Sequence, residues 1–142
     1  MELKLMNQPI LLVEDNPVDL DLTLRAFSAQ KLSNPIDVAR DGEEALAYLE
    51  KWSKGDPFPL VILLDLKLPK ISGLEVLAVI KKHPVFKTIP VVILTTSSDT
   101  TDIETAYQLG VNSYIVKPVD FGKFIEVAKQ IELYWCLLNR PA

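Results

Sequence analysis

The chain has 142 residues, 49 % of them hydrophobic, and a formal net charge of −4. That length suits one domain with one core, and an acidic balance without any block of like charge argues against nucleic-acid binding. No apolar run approaches the roughly 20 residues of a membrane span, Met1-Glu2-Leu3-Lys4 lacks the regions of a signal peptide, and the lone Cys136 cannot form an internal disulfide, which fits the reducing cytoplasm.

In chain order, Ile10-Leu11-Leu12-Val13 reads as a strand that runs directly into Glu14-Asp15. Asn16 as N-cap and Pro17 in the first turn open a helix with Leu20, Leu24 and Phe27 on one face. A short strand follows at about Ile36 to Ala39. Asp41 and Glu44 have capping-box spacing and start a second helix with Ala45, Leu49 and Trp52 inward. Lys54-Gly55-Asp56-Pro57-Phe58-Pro59 is a loop. Leu60 to Leu64 is apolar throughout, as a strand buried on both faces is, and it ends in Asp65.

Ser72 and Glu75 repeat the capping-box spacing, Leu74, Leu77 and Ile80 form a stripe, and Pro84 stops that helix just after a helix-terminal surface His83. The strand Val91-Val92-Ile93-Leu94 ends in Thr95-Thr96-Ser97-Ser98. Asp99 and Asp102 open a fourth helix, with Ile103, Ala106 and Tyr107 inward and Gly110 as its stop. Ser113-Tyr114-Ile115-Val116 ends in Lys117-Pro118. A last helix runs from about Asp120 to Leu138, with Phe121, Phe124, Ile125, Ala128, Ile131 and Trp135 as its core stripe. Five strands alternating with five helices predict an α/β fold, a parallel sheet covered on both faces. A single domain over 1–142 is expected, with its core at about 8–138.

Four strand ends thus offer an acid pair, an acid, a hydroxyl and an amine: Glu14-Asp15, Asp65, Thr95 and Lys117. In open α/β sheets, ligands bind at the carboxyl ends of the strands. Unit charges about 4 Å apart repel by roughly 4 kcal/mol at an effective dielectric near 20, so the acids need a cation. The amine of Lys117 and a hard divalent ion are the two candidates. Mg2+ fits oxygen ligands and keeps several waters; without clustered His and Cys, zinc does not fit. The set suits phosphoryl transfer, with Asp65 as nucleophile and Mg2+, Lys117 and Thr95 each on one phosphoryl oxygen. Singly, each residue has an ordinary use as turn acceptor, cap or solvated charge; together at four central strand ends they do not.

The segments Ile10 to Asp15, Leu63 to Gly73, Pro90 to Thr95 and Tyr114 to Pro118 resemble the receiver domain of a two-component response regulator. The resemblance implies a flavodoxin-like (CheY-like) sheet of order 2-1-3-4-5 and an Asp65 phosphorylated by a sensor histidine kinase. It implies Mg2+ held by Asp15, Asp65 and the backbone carbonyl of Lys67, with Glu14 acting through water. It also implies Thr95 and Tyr114 as a switch pair acting on the face of the fourth helix, fifth strand and fifth helix, and a cis peptide at Lys117-Pro118. The loop before the Asp65 strand, the run Ile89 to Ser98 and the extension Leu133-Tyr134-Trp135 are similar to the small response regulators of cyanobacterial phytochromes, so a phytochrome-type kinase is the expected partner. No output domain is expected after the last helix.

Many receivers have Asp where Glu14 stands, and a smaller residue than Thr96 after the switch Thr. The expected role is a phosphoacceptor with self-phosphorylation and dephosphorylation chemistry, not a classical enzyme. A haloacid dehalogenase-type phosphatase would need an acid where Lys67 stands, and a flavin module would not place acids after the first strand. The last helix has more apolar residues than one inward face holds, which predicts a homodimer through Val127, Ile131, Tyr134 and Leu138.

Overall fold

Side chains alternate across a strand, so an apolar strand with no polar face must be covered twice. The computed structural model describes residues 8–30, 34–117 and 120–132, the side chain of Phe124 aside. In it β1 (Ile10–Val13), β3 (Val61–Leu64) and β4 (Val91–Thr95) are buried at every position. β2 (Ile36–Ala39) and β5 (Ser113–Val116) lie at the edges and are only partly covered. The order is β2-β1-β3-β4-β5, all parallel, as the resemblance implied.

The alternation divides the interior in two. Leu11, Val13, Ile62, Leu64, Val91 and Ile93 point to one face, under α2 (Gly42–Ser53), α3 (Gly73–Lys82) and α4 (Thr100–Gln108). Ile10, Leu12, Val61, Leu63 and Val92 point to the other, under α1 (Pro17–Ala29) and α5 (Phe121–Ile131). Trp52 is buried beside Phe86, edge to face at 5.4 Å, on the first of these faces. The strand positions that the apolar runs predict make up the centre of both cores, joined by Ala26, Val76 and Phe86, while the predicted Leu20, Leu24 and Leu74 are partly buried at their margins.

Helix starts follow their caps. Asn16 accepts from the backbone N–H of Val18 and Asp19, and Ser72 with Glu75 forms a full capping box. Asp41 caps α2, but Glu44 reaches back to the N–H of Arg40, one residue beyond the reciprocal position. His83 ends α3, its Nδ1 accepting from the N–H groups of Val85 and Phe86 while its ring stacks on Phe86.

Some expectations need correction. Tyr107 is 52 % exposed, because α4 buries only Ala106 fully and turns a narrow face to the sheet. Phe121 is exposed as well, because it is the first residue of α5 and precedes the covered part of the stripe. Ile131 is 1 % exposed, and Val127 lines a crevice with Thr23 and Phe27 of α1. Ile131 is thus directed into the chain's own core and not to an outward strip, while Val127 is partly buried against that core. Tyr134, Trp135, Cys136 and Leu138 lie outside the described residues.

Two glycines allow the loop after β3 to sit close to helix starts. A Cβ on Gly73 would lie 2.2 Å from the Asp65 carbonyl oxygen, and one on Gly42 would lie 2.5 Å from that of Ile71. Gly73→Ala should therefore lower stability in urea denaturation by about 1–3 kcal/mol, the usual cost of overpacking. Gly122→Ala, whose Cβ would meet only the Asp120 carboxylate at 3.4 Å, should cost nothing measurable in the same assay.

Candidate functional site

The ladder continues past the strands and fixes the backbone of the rim. Glu14 N–H donates to Ala39 C=O at 3.0 Å, Asp65 N–H to Val13 C=O at 3.0 Å, and Lys117 N–H to Thr95 C=O at 2.7 Å. Register places Val13 beside Leu64, and Thr95 beside Val116. Glu14, Asp65, Thr95 and Lys117 therefore converge, as predicted, and all four are buried.

The Lys117 ammonium, with its side chain 3 % exposed, is the centre of this rim. It lies 2.5 Å from Glu14 Oε1, 2.9 Å from Asp65 Oδ2 and 2.9 Å from Asp19 Oδ2. An ammonium has three donors, so each donor has its own carboxylate. The other Asp65 oxygen, Oδ1, accepts from the N–H of Lys67 at 3.2 Å.

Burial pushes the Glu14 carboxyl up to about 7; Lys117 opposes the shift and Asp65 adds to it. Burial acts on Asp65 in the same sense, but hydrogen bonds from Lys117, Glu14 and Thr95 outweigh it and hold that carboxyl below the usual range. Burial alone would lower Lys117, and the three carboxylates instead raise it. Acids outnumber the amine, so a proton held on Glu14 relieves part of the excess charge while Asp65 stays ionised. An ionised, buried carboxylate at a strand end can act as a nucleophile.

Asp15 and Lys67 are exposed at the edge of the rim. Among the described residues no group of three His, Cys, Asp or Glu is placed to hold a metal ion. The donors near Asp65 are oxygens only, and few. That set fits Mg2+, which takes one or two carboxylates and keeps its waters, and the surplus negative charge favours a cation.

Tyr114 is half-buried and its hydroxyl donates to the Ser97 carbonyl at 2.8 Å. The Ser97 hydroxyl donates to Asp102 at 2.6 Å, and its N–H to Thr95 Oγ1 at 3.5 Å. The loop after β4 is thus tied to Thr95, to β5 and to α4. The resemblance implies Tyr114 as the switch partner of Thr95, and its hydroxyl holds the loop that follows Thr95. Pro118, and with it the expected cis peptide, lies outside the described residues. Asp19 was not foreseen; its signal is its place one helical turn after Asp15, on a helix that starts at the same rim.

The response regulator receiver domain matches residues 10–129. The response regulator Rcp1 of Synechocystis sp. is 40 % identical over 128 residues, covering 89 % of this chain and 87 % of that protein. A probable methanogenesis regulatory protein, FilR2 of Methanothrix harundinacea, is 43 % identical over 132 residues, covering 92 % and 85 %. The crystal structure of the phosphorylated cyanobacterial phytochrome response regulator RcpA has a TM-score of 0.87 at 40 % identity and covers 96 % of this chain and 99 % of that one. The Mn2+-bound form of Rcp1 gives 0.85 at 38 % identity, covering 95 % and 99 %.

The raised Glu14 sets the sign of a pH effect. Between about 4.5 and about 7 the folded chain keeps a proton that the unfolded chain has lost, so this group's contribution to stability falls as pH rises through that window. Asp65 acts in the opposite sense, its contribution being lost as pH falls below the ordinary carboxylate value of 3.8, outside that window. Glu14→Gln mimics the protonated form. In urea denaturation without added metal, its stability relative to the unmodified chain should be higher at pH 8 than at pH 5, and a pH-independent difference would show that Glu14 keeps an ordinary carboxyl.

Proposed function

This chain belongs to the family of response regulator receiver domains, and from that premise we propose that Asp65 accepts a phosphoryl group from a sensor histidine kinase. The observation that carries this reading is the Asp65 carboxylate, buried at a central strand end with its Oδ2 2.9 Å from the Lys117 ammonium. One carboxylate oxygen attacks the phosphorus of a phosphohistidine, the O–P bond forms as the P–N bond breaks, and the imidazole nitrogen keeps the electron pair and takes up a proton. Lys117 and Thr95 act as donors to the phosphoryl oxygens. Asp15, Asp65 and the Lys67 carbonyl, with Glu14 through water, would hold Mg2+, which supplies charge neutralisation for the transferred group.

Likeness to Rcp1 and to a phytochrome response regulator over nearly the whole chain supports a phytochrome-type kinase in the cytoplasm as the donor. A phosphatase of haloacid dehalogenase type is disfavoured by Lys67, which stands where that enzyme would need a second Asp. The Tyr114–Ser97 contact would carry the phosphorylation signal to α4, β5 and α5, where Tyr107, Val116 and Phe121 are exposed. Two copies would pair through that face, which sedimentation with and without beryllofluoride tests directly; a monomer at high concentration in both conditions refutes it.

Acetyl phosphate with Mg2+ should add one phosphoryl group, labile to hydroxylamine as an acyl phosphate is. Asp65→Asn should abolish it; stable label on Ser or Thr would overturn the assignment. In thermal melts, Mg2+ should stabilise the chain by mass action, by about 2.7 kcal/mol at a hundred times its dissociation constant. Asp15→Asn should lose most of that gain, and melts indifferent to Mg2+ would remove the metal from the reading.

A further inference from the structure

We propose that Asp19 is a positioning residue that restrains Lys117 in the resting state and is the acceptor Lys117 releases when Asp65 is phosphorylated. This rests on the phosphoacceptor reading above and adds a residue to it. Asp19 sits in the first turn of α1, where an acid suits the helix end and is ordinarily a cap neighbour with no further role. Here its N–H is held by the Asn16 cap and its carbonyl accepts from the Thr23 hydroxyl. Its side chain reaches an ammonium 98 residues away in sequence, at 2.9 Å. That ammonium is buried and has no fourth donor.

A phosphoryl group on Asp65 adds acceptor oxygens and negative charge beside Lys117. For Lys117 to donate to one of them, it must give up a partner. Glu14 is 2 % exposed, so bulk water does not reach the oxygen that its release would free, and Asp65 carries the phosphoryl group itself and stays beside the ammonium. The Asp19 side chain is 24 % exposed, so water can take over its hydrogen bond. Asp19 is the least costly of the three to release, and its charge opposes the arriving phosphoryl group until then.

The test uses beryllofluoride, with Mg2+ saturating and constant, on the full chain. Asp19→Asn keeps the shape of the side chain and removes its charge. It should tighten beryllofluoride binding by on the order of fivefold, the scale of one ordinary net hydrogen bond, since water screens this partly wet position. Asp19→Glu should return towards the unmodified value. Asp21→Asn, which removes an equal charge from the exposed side of α1 where Asp21 pairs with Arg25, should leave binding unchanged. Independently of any phosphoryl mimic, the Lys117 side-chain 15N resonance of the metal-free protein should shift in Asp19→Asn and not in Asp21→Asn.

Unchanged binding in Asp19→Asn, an equal effect in Asp21→Asn, or a loss of Mg2+ affinity that accounts for the change would each overturn the proposal. Should the unmodified chain bind no beryllofluoride, the phosphoacceptor reading itself falls. The 15N shift then still decides whether Asp19 holds Lys117.

Discussion

The Lys117 ammonium, with one carboxylate on each of its three donors, is the contact on which the rest of the rim depends. Without it, the Asp65 carboxylate would be a buried charge with no counter-ion, and breaking a buried pair in this way commonly costs about 3–5 kcal/mol. With it, the site still carries an excess of acid, relieved in part by a proton on Glu14. The fold therefore maintains a cation-seeking position at the end of its central strand. Structural need and chemical readiness are met by the same atoms, so few substitutions here could affect one alone.

The surrounding architecture exists to keep those atoms in place. β1, β3 and β4 are covered on both faces, and the two cores lock the strand ends in register. Asn16 and Ser72 start α1 and α3 at the rim, and Gly73 lets α3 pack against the Asp65 carbonyl. The rigid parts present the acids, the hydroxyl and the amine of the rim. The loop after β4, tied by Ser97 to Thr95, Tyr114 and Asp102, is where a change at the rim can be passed on.

Most of this was legible in the residues. Unbroken apolar runs identified the buried strands, cap residues placed the helix starts, and strand-end polar residues marked the rim. Three things were not legible. Tyr107 and Phe121 follow helical spacing, but spacing does not tell how wide a face a short helix turns to the sheet or where its covered part begins. Ile131 and Val127 belong to an apolar surplus whose division between core and surface depends on how α5 meets α1. Asp19 reads as an ordinary first-turn acid, because only the folded chain brings Lys117 within its reach.

The ladder that overruns the strands also divides the rim by what its backbone can report. The N–H groups of Glu14, Asp65 and Lys117 are bonded to neighbouring strands, so their hydrogen exchange follows the opening of the sheet and is nearly silent to events at the site. The N–H of Asn16 is bonded to the Glu14 carboxylate, that of Lys67 to the Asp65 carboxylate and that of Ser97 to the Thr95 hydroxyl. These three amides exchange with the rim's own side-chain motions. Three loop protons, and not those of the acids themselves, are where a change at this rim becomes visible in the backbone.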